Sequence, residues 1–240
     1  MSDDVPKGTR HELKAVTVSG PPSSGKTSVI LKTVRELRKS GLSVGAVKFD
    51  CLSSDDAKRY EGEGIPVRTA LSGSLCPDHF FVSNVDECVA WGVNNAFDFL
   101  FIESAGLCDR CSPHIQGTAA VCVIDNLSGV NTPGKIGPML KLADIVVITK
   151  GDIVSQAERE IFALKARQAN PSAVVLHVSG ITGQGACELA SLLMESGEAS
   201  SLSGRSLRFS MPSALCSYCL GETRIGREHQ MGNVRRIHLE

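Results

Sequence analysis

The sequence has 240 residues, enough for one sizeable α/β domain with appendages. Its 25 basic and 26 acidic side chains leave a formal net charge of −1, which gives no electrostatic footprint for nucleic acid or for an anionic membrane surface. Residues 1–8 lack a basic start followed by an apolar core, and no later stretch approaches the length that spans a bilayer, so a cytoplasmic protein with no membrane partner is expected.

The apolar run Leu13 to Val18 reads as a strand that feeds Gly20-Pro-Pro-Ser-Ser-Gly-Lys-Thr27, a full match to G-x-x-x-x-G-K-[ST]. From Thr27 onward apolar residues recur at helical spacing to Leu37, which completes the strand, loop and helix that a phosphate-binding P-loop requires. Gly20 and Gly25 let the backbone curl so that N–H groups, with Ser23, Ser24 and Ser28 beside them, face a polyphosphate. Lys26 is expected to reach the β- and γ-phosphates and Thr27 to ligate Mg2+. Val44 to Phe49 is a second buried strand, and Asp50 at its end is placed to act through magnesium or to orient water. A helix-capping role for Asp50 is the alternative. A short polar helix opens at Ser53, Pro66 to Leu71 is a strand, and a helix runs from Cys76-Pro-Asp-His79 to about Trp91.

Phe97 to Ile102 is the next apolar run and ends in Glu103-Ser-Ala-Gly106. An acidic residue closing this strand, with a glycine whose N–H can sense the γ-phosphate, is the switch arrangement of P-loop hydrolases. Lys26, Asp50 and Glu103 are thus the candidate catalytic residues. Thr118 to Asp125 and Asp144 to Thr149 are further strands, separated by a turn-rich loop at 131–138 and a short helix. Thr149-Lys150-Gly151-Asp152 resembles the guanine-recognition tetrad, usually Asn-Lys-x-Asp, whose carboxylate accepts from guanine N1–H and the 2-amino group. Ala173 to Val178 is the last core strand. The following Ser179-Gly180 stretch resembles the loop on the edge of the base, and a helix covers about Ala186 to Met194.

Nine cysteines in a reducing compartment argue against a disulfide framework, so their spacing decides which matter. Cys88, Cys122 and Cys187 sit singly in apolar patterns and read as core. Cys108-x-x-Cys111 and Cys216-x-x-Cys219 have metal-ligand spacing, and Cys76 lies three residues before His79. Thiolates suit nickel, zinc and iron–sulfur clusters alike, and His114 follows the first pair closely. The composition gives three parts: a nucleotide domain over 1–195, a Gly/Ser-rich flexible linker over 196–205, and a Cys-x-x-Cys tail over 206–240.

The P-loop, Asp50, Cys76-Pro-Asp-His79, Glu103-Ser-Ala-Gly106 and Thr-Lys-Gly-Asp152, in that order, resemble the HypB/UreG family of metal-insertion GTPases over roughly Leu13 to Met194. The resemblance implies a Rossmann-like P-loop fold with a mostly parallel sheet flanked by helices, homodimerisation, and GTP hydrolysis coupled to delivery of a metal to a client metalloenzyme. It carries the family's Cys-Pro-His motif onto Cys76 and His79, with Asp78 inserted. The Cys108/Cys111 pair and the cysteine tail lie outside the family pattern. Two other readings stay open: an iron–sulfur P-loop protein that drives electron or cluster transfer, and a small-molecule kinase.

Overall fold

Continuous apolar strands predict a sheet buried on both faces, and the computed structural model, which describes residues 12–53, 55–108, 111–210 and 221–239, has one. Among these residues the strands are β1 (Lys14–Ser19), β2 (Val44–Asp50), β3 (Val67–Leu71), β4 (Phe99–Glu103), β5 (Ala119–Asp125), β6 (Ile145–Thr149) and β7 (Val174–His177). They form a single sheet in the order β3-β2-β4-β1-β5-β6-β7, and every pairing is parallel. The chain first builds toward β3, returns to place β4 beside β1, and then crosses to β5 on the other side. That reversal puts a crevice at the carboxyl end of β1, the position where open α/β sheets bind ligands.

Side-chain alternation divides the core between the two faces. Val16, Val18, Phe99, Phe101, Val121 and Val123 pack with helices α1 (Lys26–Lys39) and α7 (Ala186–Met194). Ala15, Val47, Phe49, Leu100 and Ile102 face α3 (Pro77–Asn94). Cys122, Ile124, Val146 and Ile148 meet α5 (Pro138–Lys141) and α6 (Gln156–Ala169). The short α2 (Asp56–Gly62) follows β2, and α4 (Thr132–Lys135) forms within the stretch 131–138 that reads as a loop. No helix among the described residues is long and apolar enough to cross a membrane.

Two expectations are corrected by the structure. Cys88 and Cys122 are buried, but Cys187 is exposed, because it lies on the outer side of the first turn of α7. The Gly/Ser-rich stretch read as a flexible linker is docked: Ala199 and Leu202 are buried in the α3-side core, the Ala199 N–H donates to Leu13 O at 2.8 Å, and Ser200 Oγ accepts from the Leu13 N–H. The following chain is docked as well. Leu207 bridges Ile115, and the Arg208 guanidinium pairs with Asp144 while donating to the carbonyls of Ile115, Thr118 and Leu142. Nearer the end, the Ile237 N–H donates to Asn84 Oδ1 on α3 at 2.9 Å. Cys216 and Cys219 lie outside the described residues.

Candidate functional site

The P-loop closes on itself. The buried Lys26 ammonium donates to the carbonyls of Gly20 and Pro21, both at 2.9 Å. Burial lowers its pKa to about 8 against the opposing pull of Glu103. A cation held this dry by two carbonyls gains by exchanging them for phosphate oxygens. Ser24 Oγ in the P-loop and Ser104 Oγ after β4 are buried without a hydrogen-bond partner among the described residues, the condition expected of polar atoms that a polyphosphate would satisfy.

Glu103, at the end of β4, is a fully buried hub. Its Oε1 accepts from Thr27 Oγ1 at 2.9 Å and pairs with Lys48 Nζ at 2.7 Å, while Oε2 accepts from the Tyr60 hydroxyl at 2.7 Å. Lys48 also pairs with Asp56 Oδ2 at 3.2 Å. Burial opposes the Lys48 charge, yet Glu103 and Asp56 raise its pKa overall, so the ammonium stays charged. Asp56 has its pKa lowered against the opposing effect of burial, with Lys48, Arg59 and Thr27 stabilising the carboxylate. Thr27, Glu103 and Asp56 thus offer a set of oxygen donors that fits a hard divalent cation.

Immediately after this hub the chain turns at Gly106 with φ 73°. A Cβ there would stand 1.8 Å from Gly20 O and 3.0 Å from Lys26 Nζ. The segment that leaves β4 therefore lies directly on the P-loop. Two residues later it reaches Cys108, whose Sγ is 3.5 Å from Cys111 Sγ. Asp78, in the first turn of α3, joins them, and the three ligand atoms all lie within 4.8 Å of one another. Burial pushes the Asp78 carboxyl up to about 6, with His79 and Lys26 pulling the other way. Burial likewise pushes the Cys111 thiol up, and Cys108 and Asp78 add to that shift.

On the opposite flank, Thr149 is buried and its hydroxyl donates to Ser24 O at 2.6 Å. Asn126 Nδ2 donates to Thr149 O at 2.7 Å, Lys150 pairs with Asp125 at 3.4 Å, and Asp152 is exposed. Gly180 packs on the helix just past the P-loop, where a Cβ would stand 2.8 Å from Ser28 Cβ.

The sequence signature described as "CobW/HypB/UreG, nucleotide-binding domain" matches residues 14–177, from the first residue of β1 to the last of β7. The chain belongs to this family. It is 47% identical over 225 residues to the uncharacterized protein MJ0120 of Methanocaldococcus jannaschii, covering 94% of this chain and 96% of that protein. It is 29% identical to hydrogenase maturation factor HypB of Rhizobium leguminosarum (73% of this chain, 59% of that protein) and 27% identical to urease accessory protein UreG of Mycolicibacterium gilvum (77% and 95%). The fold matches that of HypB from Helicobacter pylori, solved in complex with nickel, with a TM-score of 0.62 at 21% identity, covering 77% of this chain and 87% of that one.

Within this CobW/HypB/UreG frame the residues expected from sequence separate into groups. Lys26, Thr27, Glu103 and Gly106 converge at the carboxyl end of β1, with Thr149 and Gly180 on the flank. Asp50 does not join them by any hydrogen bond: its Oδ1 accepts from the Cys51 N–H at 2.8 Å, while Asp56, the first residue of α2, occupies the place beside Lys48 and Thr27. The apolar run Val44–Phe49 contained the clue, since a lysine inside a buried strand demands a buried partner. Cys108 and Cys111 meet Asp78, and Cys76 is exposed at the N-terminus of α3.

His114 is corrected as a metal ligand. It is fully buried on the sheet, with Nδ1 2.9 Å from Thr17 Oγ1 and Nε2 3.0 Å from both Ser19 Oγ and Met139 O, so both ring nitrogens are engaged within the protein. Burial, with Arg208 adding, lowers its pKa to about 4. Between pH 6.5 and 4 the unfolded chain binds a proton that the native ring refuses, so stability is full above pH 6.5 and falls as pH drops toward 4. The shift corresponds to about 3 kcal/mol. Urea unfolding at pH 7 and pH 4.5 should show a larger acid loss in the parent than in His114→Gln. Equal losses in the two proteins would rule this origin out.

Proposed function

We propose that the chain is a GTP-hydrolysing metallochaperone that couples nucleotide switching to delivery of a thiolate-bound transition metal to a client metalloenzyme or its maturation factors. The observation that carries this reading is the adjacency of Gly106, packed on Gly20 and Lys26, to Cys108 and Cys111 two and five residues later. Names among the relatives support it: a hydrogenase maturation factor, a urease accessory protein, and a fold neighbour solved with nickel.

Polyphosphate enters against the P-loop N–H groups and takes Lys26 from the Gly20 and Pro21 carbonyls. Mg2+, when bound, neutralises charge on the β- and γ-oxygens; Thr27 would hold it, with Asp56 and Glu103 as the acidic groups around it. Asp152 accepts from the guanine edge, and Ser179 and Gly180 border the base. Asp50 acts through ordered water rather than by direct contact with Thr27. The γ-phosphate orders the Ser104–Gly106 turn, and its loss releases that turn and the thiols it carries. Partnering as a homodimer supplies a further set of thiols to the exposed face.

Replacing Cys108 and Cys111 together by Ser should remove tightly bound metal from anaerobically prepared protein while GTP still binds in preference to ATP. The nucleotide contacts lie in other loops. Unchanged metal content in that variant, or equal affinity for the two nucleotides, would contradict the reading.

A further inference from the structure

We infer that Asp78 is the third protein ligand of the ion held by Cys108 and Cys111. The inference rests on the proposed metal-carrying function and adds to it an oxygen donor that neither the Cys-Pro-His motif nor the thiol spacing supplies. Asp78 is 1% exposed, and its Oδ2 has no hydrogen-bond partner among the described residues. A buried carboxylate oxygen without a protein donor is costly unless a cation satisfies it. One Asp78 carboxylate oxygen and the two sulfur atoms all lie within 4.8 Å of one another, the separation expected of donors that surround one ion.

Two thiolates and one carboxylate define the ligand class. They suit a single borderline divalent ion of the zinc, cobalt or nickel kind, whereas Cu(I) favours sulfur alone and iron–sulfur clusters are usually held by four thiolates. Three donors leave the fourth tetrahedral position for an exchangeable group, such as the exposed Cys76 or a side chain of the recipient. An open position is what an ion in transit needs.

The thiols are tied to the P-loop through Gly106, two residues before Cys108, where an added Cβ would stand 1.8 Å from Gly20 O and 3.0 Å from Lys26 Nζ. A polyphosphate that fixes this turn also fixes the thiols beside Asp78, so nucleotide and metal favour each other's binding, and by linkage each strengthens the other equally.

Zn2+ titration of the full-length, reduced protein against a chromophoric chelator, with and without a non-hydrolysable GTP analogue, tests the assignment. The parent should bind one ion, and the analogue should tighten binding by about fivefold or more. Asp78→Asn, which keeps the shape, should weaken Zn2+ at least tenfold. X-ray absorption at the zinc edge of the parent needs no variant, and should show two or three sulfurs at about 2.3 Å and at least one oxygen or nitrogen neighbour at about 2.0 Å. A parent that binds no Zn2+ would refute the metal-carrying function itself. A parent that binds Zn2+ while Asp78→Asn matches it, or a shell of sulfur alone, would leave that function standing and overturn the role of Asp78.

Discussion

Glu103→Ala should be the most damaging single change in the nucleotide crevice, lowering the unfolding free energy by about 3–5 kcal/mol. Removing the carboxylate leaves the buried Lys48 with only the half-exposed Asp56 and strands the hydroxyls of Tyr60 and Thr27. Glu103→Gln keeps one acceptor oxygen for the two hydroxyls but sets its amide N–H2 against the Lys48 ammonium, so it should recover only part of that loss. Chemical denaturation of the three proteins at neutral pH gives the comparison. An alanine variant within about 1 kcal/mol of the parent would show that the hub does not hold the carboxyl ends of β2 and β4 together.

The second large effect is expected at Gly106. At φ 73° an alanine bears the cost of left-handed backbone, about 1–2 kcal/mol, but the greater obstacle is its methyl group, which would lie 1.8 Å from Gly20 O. No side-chain rotation relieves a contact with backbone, so the turn after β4 must move away from the P-loop. GTP affinity should fall at least tenfold. Gly64→Ala is the control, because Gly64 has φ 64° with nothing within 4 Å of an added Cβ, so it bears the backbone cost alone. Equal GTP affinity in the two variants would mean that the close approach of Gly106 to Gly20 has no part in binding.

What the sequence made legible follows from how local each signal is. The P-loop is a contiguous motif whose strand and helix lie on either side of it, and β1 and α1 stand where the pattern puts them. The chain also marks α6 with a capping box, Ser155 with Glu158, but its long polar stretch from 155 to 169 offers only Phe162, Ala163 and Ala166 to the core, too few to announce a helix by periodicity. The docked stretch after α7 was hidden by composition. Its small polar residues suggest a linker, while Ala199 and Leu202 alone carry its burial.

Non-local contacts were the hardest to foresee. Asp78 follows Cys76 and Pro77 and precedes His79 in sequence, yet it is Asp78 that α3 turns toward Cys108 and Cys111. His114 lies three residues beyond Cys111, yet the chain folds it back beneath β1 against Thr17 and Ser19, on strand residues nearly a hundred positions away. Sequence spacing found the thiol pair; only topology could choose its third neighbour.

Under the proposed coupling, loss of the γ-phosphate loosens a metal held by Cys108 and Cys111. Protein loaded anaerobically with Zn2+ and GTP·Mg2+, mixed rapidly with a chromophoric metal acceptor and followed through a single turnover, tests it directly. Metal should pass to the acceptor in the same kinetic phase as phosphate release, and should stay bound when a non-hydrolysable analogue replaces GTP. Transfer at one rate with GTP, GDP and the analogue would contradict the coupling.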